Sequence, residues 1–101
     1  MTEVTMTTVE ILKAAKARIE RPEKWGKGKA IRVGSRRDCA VSALRSRDFR
    51  DYQKALRYLK RALPSDLKNE VIGYNDARET THADIMALYD RAIELAEAEE
   101  K

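Results

Sequence analysis

Several residues on which common folds and sites depend are scarce in this sequence. Its 101 residues include one cysteine, one histidine, four glycines and two prolines. A single cysteine cannot form an internal disulfide, so we expect a reducing, cytoplasmic setting, and a dimer bridged through Cys39 would need an oxidising compartment. One cysteine and one histidine are too few for a closed zinc site, and we expect neither a metal nor a cofactor.

Long apolar segments are also lacking. No run approaches the ~20 apolar residues of a membrane-spanning helix. The first residues, MTEVTMTTVEIL, lack the basic region and apolar core of a secretory signal. No glycine-rich sequence of the kind that cradles phosphates is present. The length predicts one domain over 1–101, with a core over 8–96 and disordered or fraying ends at 1–6 and 97–101.

What the sequence does contain is helical periodicity. A capping box formed by Thr7 and Glu10 predicts a first helix over 8–20, which Pro22 ends. Pro22 also begins a tight turn that brings Trp25 onto the core. A second helix is expected over 37–46, where small residues suit close packing. Between them, the pattern near 26–37 indicates a short β-hairpin or an irregular segment.

Two further helices have the clearest apolar faces. The third is predicted over 48–63, with a stripe at steps of three and four residues formed by Phe49, Tyr52, Leu56, Leu59 and Leu63. The last begins at Thr81, whose capping partner is Asp84. The predicted fold is therefore mainly α, a single-domain bundle of about four helices. We expect its core to include Trp25, Leu56, Leu59, Ile85 and Leu88.

Charge is distributed unequally along the chain. Residues 1–63 contain 17 Lys or Arg and 7 Asp or Glu, whereas residues 64–101 contain 4 and 10. The third predicted helix repeats cations at steps of three and four residues, at Arg47, Arg50, Lys54, Arg57 and Arg61, with Lys60 beside them. This basic stripe lies about 200° from the apolar stripe, so it is expected to face solvent.

Three interpretations of the basic stripe are open. It can be a solvated face, a site for phosphates or an acidic protein surface, or the partner of the acidic last helix in this chain or in a second copy. Tyr58 is the one aromatic near the stripe that is not assigned to the core, so base stacking has little support. Nucleic acid would then be bound through its backbone without reading of sequence.

Cys39 and His82 suggest a different chemistry. Helix N-termini and neighbouring cations such as Arg36 and Arg37 activate thiols. With His82 as base and Asn75 or Asp76 as its orienter, the chain could be a thiol hydrolase or transferase. The structural interpretation is favoured: Cys39 as a small core residue, His82 in the first turn of a helix, and Asn75 and Asp76 in a side-chain-bonded turn.

The order of four motifs, RPEKWGKGKA, CAVSAL, YND and THADIMALYDRAI, resembles that of an uncharacterised family of small proteins from bacteria and their phages. The similarity covers about residues 10–95. The chain departs from the pattern at Ser42, where a glycine is expected, and in a shorter, more basic 26–38 segment. The resemblance implies a shared fold and a shared surface around Trp25, Asn75, Asp76 and His82. It also implies a phage or mobile-element setting, in which small proteins often bind a host macromolecule.

The sequence thus leads to a ranked set of hypotheses. The first is a non-enzymatic accessory protein that binds a macromolecule through the basic stripe. Its partner would be an acidic protein surface or a nucleic-acid backbone. The alternatives are a thiol enzyme built on Cys39 and His82, and a helical homodimer whose basic stripe has no ligand.

Overall fold

Helices dominate the part of the chain that can be described. The computed structural model describes residues 7–27, 37–44, 48–64 and 71–100. In chain order they form α1 (Thr8–Arg18), a 3-10 turn (Pro22–Lys24), α2 (Phe49–Ala62), α3 (Val71–Asp76) and α4 (His82–Glu99). The mainly α fold class is confirmed, and α2 is the third helix predicted from the sequence.

Both predicted capping boxes are present at helix starts. The Thr7 hydroxyl accepts from the backbone N–H of Glu10, whose carboxylate accepts from the Thr7 N–H at 2.8 Å. Thr81 and Asp84 make the same reciprocal pair at the start of α4. These bonds satisfy backbone donors that have no partner within the helix, which fixes where each helix begins.

The core lies between three helices. Helix α4 packs against both α1 and α2, which also contact each other. Leu59, Ile85 and Leu88 are buried as predicted, whereas Trp25 and Leu56 are only half-buried against the core. The largest fully buried side chains, at the centre of the molecule, are Tyr89, Leu12, Ile19, Leu59, Ile85, Leu88 and Asn75.

Helix α2 buries a different face from the one predicted. Its most buried residues are Ala55, Tyr58, Leu59 and Ala62. Phe49, expected at one end of the apolar stripe, is 69% exposed. Ala55 and Ala62 are fully buried, so the side of the helix with small residues faces the core and Phe49 turns outward. Tyr58, which the sequence left unassigned to the core, is buried.

The predicted second helix is not formed in residues 37–44. Residues 40–43 make one hydrogen-bonded turn, in which the Ala43 N–H bonds to the Cys39 carbonyl at 3.1 Å. The carbonyl of Ala40 accepts from the Tyr89 hydroxyl, and its N–H donates to Asn75. The Leu44 N–H donates to the Val41 carbonyl at 3.0 Å and not to Ala40, so the i→i−4 pattern of a helix does not continue past Ala43.

The predicted hairpin falls largely on 28–36, outside the described residues. Beside that segment, Trp25 and Asp38 form one isolated parallel bridge. The Asp38 N–H donates to the Lys24 carbonyl at 2.8 Å, and the Gly26 N–H donates to the Asp38 carbonyl at 3.1 Å. A hairpin pairs antiparallel strands, so this bridge is a different contact.

Helix α4 continues to Glu99, into the segment for which the sequence predicts fraying. Tyr58 donates its hydroxyl proton to Glu100 at 3.0 Å. Arg61 pairs with Glu99. Burial raises the pKa of Tyr58, and the bond to the Glu100 carboxylate raises it further. These two contacts hold the last turn of α4 against α2.

The packing predicts which truncations unfold the protein. Leu59→Ala, at the centre of the core, should lower the free energy of unfolding by ~2–5 kcal/mol because it leaves a cavity. Ile72→Ala, a matched aliphatic truncation at a residue that is 57% exposed, should change it by less than about 0.5 kcal/mol. Urea denaturation followed by circular dichroism measures both. Equal losses would reject the placement of Leu59.

Candidate functional site

Asn75 is the centre of a polar junction between distant parts of the chain. Its Oδ1 accepts from the Trp25 indole N–H at 2.7 Å and from the Ala40 N–H at 3.0 Å. Its Nδ2 donates to the Gly26 carbonyl at 3.1 Å and to Asp76 Oδ1 at 3.0 Å. Asn75 is fully buried. Both lone pairs and both N–H groups of the amide are therefore used.

Local structure explains how Asn75 reaches this position. Helix α3 places it one residue before its C-terminal end, and the turn at Pro22–Lys24 brings Trp25 toward it. Lys27 donates its ammonium protons to the carbonyls of Ala77 and Arg78, just after α3. These bonds tie the segment after the 3-10 turn to the residues after α3, where the Ala77 carbonyl also accepts from the Thr80 N–H at 3.1 Å.

His82 lies beside this junction but is bonded elsewhere. Its Nε2 lies 2.7 Å from the Ile19 carbonyl oxygen, which can only accept, so Nε2 carries the proton. The imidazole centroid is 5.8 Å from the Trp25 ring, at 54°. His82 thus links the start of α4 to the end of α1. Trp25, Asn75, Asp76 and His82, proposed from the family resemblance as one surface, are neighbours through these contacts.

The thiol of Cys39 takes part in a local cap. Its Sγ accepts from the Ser42 N–H at 3.3 Å, and the Cys39 N–H donates to the Ser42 hydroxyl at 2.8 Å. Cys39 is half-buried. No hydrogen bond joins Cys39 to His82, although both lie in the described residues. Asn75, the candidate orienter, uses all of its amide bonds for Trp25, Gly26, Ala40 and Asp76 and has none left for His82.

The described residues contain neither a cluster of metal-binding side chains nor a membrane-spanning helix. No group of three or more His, Cys, Asp or Glu side chains in the described ranges is arranged to hold a metal ion. None of the helices described is both long and apolar enough to cross a membrane.

The basic stripe predicted from the sequence lies on the exposed face of α2. Its exposed cations are Arg50, Lys54, Arg57, Lys60 and Arg61, and we call them the basic face. Arg47, the first member of the predicted stripe, lies outside the described residues. Within the part of the chain that the structure covers, the side chains of Arg50, Lys54, Arg57 and Lys60 make no ion pair or hydrogen bond.

Arg61 differs from the other cations of the basic face. It pairs with Glu99 of α4, and its guanidinium lies 5.5 Å from the centre of the Tyr58 ring. The hydrogen bond from Arg61 lowers the pKa of Glu99. Arg61 therefore pairs with the acidic last helix of the same chain, as one of the three interpretations of the stripe expected.

Comparison with known proteins adds a family. A model of the family of unknown function DUF6197 matches residues 3–95, which is most of the chain. The chain belongs to DUF6197. The expected membership of an uncharacterised family is confirmed at that level. The bacterial or phage setting and the four-motif pattern remain predictions for this DUF6197 chain. No curated protein and no solved structure matches it.

Sequence reasoning missed two features of the DUF6197 chain. The first is Asn75 as a buried node, because its partners Trp25 and Ala40 lie 50 and 35 residues away. The second is the exposure of Phe49. The seven-residue spacing of Ala55 and Ala62 was a usable signal for the second, since small residues repeated on one helix face favour close packing on that face.

The polar junction predicts a large effect of Asn75→Ala. Loss of the amide leaves the Ala40 N–H and the Gly26 carbonyl without partners, at about 1–3 kcal/mol for each buried group. We therefore expect the free energy of unfolding, measured in urea, to fall by about 2–6 kcal/mol. Trp25→Phe removes one donor and leaves Asn75 bonded to Ala40. It should therefore lose less stability from unsatisfied polar groups than Asn75→Ala does. If Asn75→Ala lowered the free energy of unfolding less than Trp25→Phe did, Asn75 would not be the centre of the polar junction.

The geometry also predicts how the thiol behaves. Because His82 donates Nε2–H to Ile19 and makes no bond to Cys39, His82→Ala should leave the rate of Cys39 labelling unchanged. Labelling with a chromogenic disulfide at neutral pH measures this rate. The comparison variant is Ser42→Ala, which removes the hydroxyl that accepts from the Cys39 N–H and keeps the backbone N–H that donates to the thiol. Fast labelling that slows markedly in His82→Ala alone, with the fold intact, would instead support the thiol enzyme.

Proposed function

We propose that this protein is a non-enzymatic binding protein whose contact surface is the basic face of α2, and that its partner is a nucleic-acid backbone. One observation supports the proposal above all others. Four exposed cations at Arg50, Lys54, Arg57 and Lys60 occupy less than three turns of one helix without an acidic partner in the described residues. Arrays of this kind attract polyanions by charge and by release of counterions.

The distribution of acids supports the same partner. Helix α4 contains acidic residues, but Asp90 and Glu97 pair with Lys16 and Lys13 of α1, and Glu99 pairs with Arg61. Asp51 is the single acid within α2 and is half-buried. Four of the five cations of the basic face therefore have no acidic partner in the described residues, and the face keeps a positive charge. Its arginines provide the planar donors that suit phosphate oxygens.

An acidic protein surface is the other partner that charge alone permits. A Cys39 and His82 enzyme has less support, because each of the two side chains is bonded to a different group. A homodimer through the same face remains an alternative proposal. Its test is the mass in solution at low and high salt, since a charge-driven dimer should dissociate as salt rises.

Binding of a fluorescently labelled DNA duplex, followed by anisotropy across a salt series, tests the proposal. If all four cations meet phosphates, the logarithm of affinity should fall with the logarithm of salt concentration at a slope of about −3.6. The double variant Arg50→Gln with Arg57→Gln should bind more weakly, with a slope of about −1.8.

The matched control is Arg21→Gln with Arg78→Gln, two exposed arginines outside α2 that remove the same charge. This control should keep most of the affinity and the slope of the unaltered protein. Absence of binding even at low salt would reject a nucleic-acid partner. If the protein bound polyglutamate and not DNA, and only the Arg50→Gln with Arg57→Gln variant weakened that binding, the partner of the basic face would be an acidic protein surface.

A further inference from the structure

We propose that Phe49, backed by Tyr52, stacks on an unpaired base, so that the basic face prefers single-stranded to double-stranded nucleic acid. This inference rests on the proposed function and adds the class of nucleic acid. The pair lies in the first turn of α2, beside the first described cation of the basic face, Arg50.

The geometry of the two rings suits a platform. Their centroids are 6.1 Å apart and their planes differ by 26°. Tyr52 is half-buried against the core, whereas Phe49 is 69% exposed. Tyr52 therefore supports one side of the Phe49 ring and leaves much of that ring open to solvent. An exposed phenylalanine in this position has apolar surface that a flat aromatic ligand can cover.

The neighbouring residues point to a base rather than to any aromatic ligand. Arg50 follows Phe49 directly, Gln53 and Lys54 lie one turn on, and all three are exposed. A strand whose backbone follows the basic face would bring a base to the ring at the end of α2. Aromatic stacking beside a cationic track is how proteins bind single strands without reading their sequence. In a duplex the bases are paired and stacked inside, so the ring has no base to cover.

A docked protein helix fits the same surface less well. Such a helix would need a stripe of several exposed apolar residues along α2. Tyr52 and Leu56, the residues in line with Phe49, are already half-buried against the core. The exposed surface is thus one ring next to a series of cations, a combination that matches a charged strand with flat bases.

The test compares anisotropy of an oligothymidylate of about 15 nucleotides with that of a duplex of the same length. Phe49→Ala should weaken binding of the single strand about 5- to 150-fold and leave duplex affinity unchanged. The salt slope should stay the same, since no cation is lost. Phe49→Trp should retain single-strand affinity, and its added tryptophan emission should be quenched by the oligonucleotide beyond any quenching of Trp25.

Ile72→Ala is the matched control, an exposed apolar residue on α3 outside the basic face. It should alter neither affinity. If Phe49→Ala weakens single strand and duplex equally, or weakens neither, the platform is rejected while salt-dependent binding still supports the basic face. If the unaltered protein binds no nucleic acid, the proposed function itself fails. Binding of polyglutamate that depends on Phe49, without binding of the oligonucleotide, would make this surface a protein contact and overturn the inference.

Discussion

The structure depends on one buried amide. Asn75 has no exposed surface, and its side chain has two donor and two acceptor positions that must be satisfied away from water. Trp25, Gly26, Ala40 and Asp76 supply those partners. The amide therefore ties the turn after α1 and the irregular 37–44 segment to α3, in parts of the chain where helix packing alone gives few contacts.

The two regions that the sequence proposed as functional sites, the polar junction and the basic face, differ in whether their polar groups already have partners. At the junction, Asn75, His82 and Cys39 are committed to backbone and local partners, so their polar groups hold segments together. On α2 the opposite holds: Arg50, Lys54, Arg57 and Lys60 have no ionic partner among the described residues, and Phe49 projects beside them. Polar groups that already have partners suit a structural role, whereas exposed cations and an uncovered ring suit binding.

Local signals predicted much of the fold. Thr7 with Glu10 and Thr81 with Asp84 fixed two helix starts because a capping box involves residues only three apart. Periodicity found α2, but it placed the buried face at Phe49 when the helix turns toward Ala55 and Ala62. Which face is buried depends on how closely the neighbouring helices approach, and that distance is set by residues from other parts of the chain.

The sequence by itself determined the helical class, the capped starts of α1 and α4 and the line of cations along α2, since each follows from residues within a few turns. Only the tertiary structure decided that Asn75 joins segments up to 50 residues away, that residues 40–43 form one turn and not a helix, and that Tyr58 is inside while Phe49 is outside. These features arise from long-range hydrogen bonds and packing, which no local pattern encodes. The candidate site combines both, because its charges follow from local spacing and its exposed ring from tertiary packing.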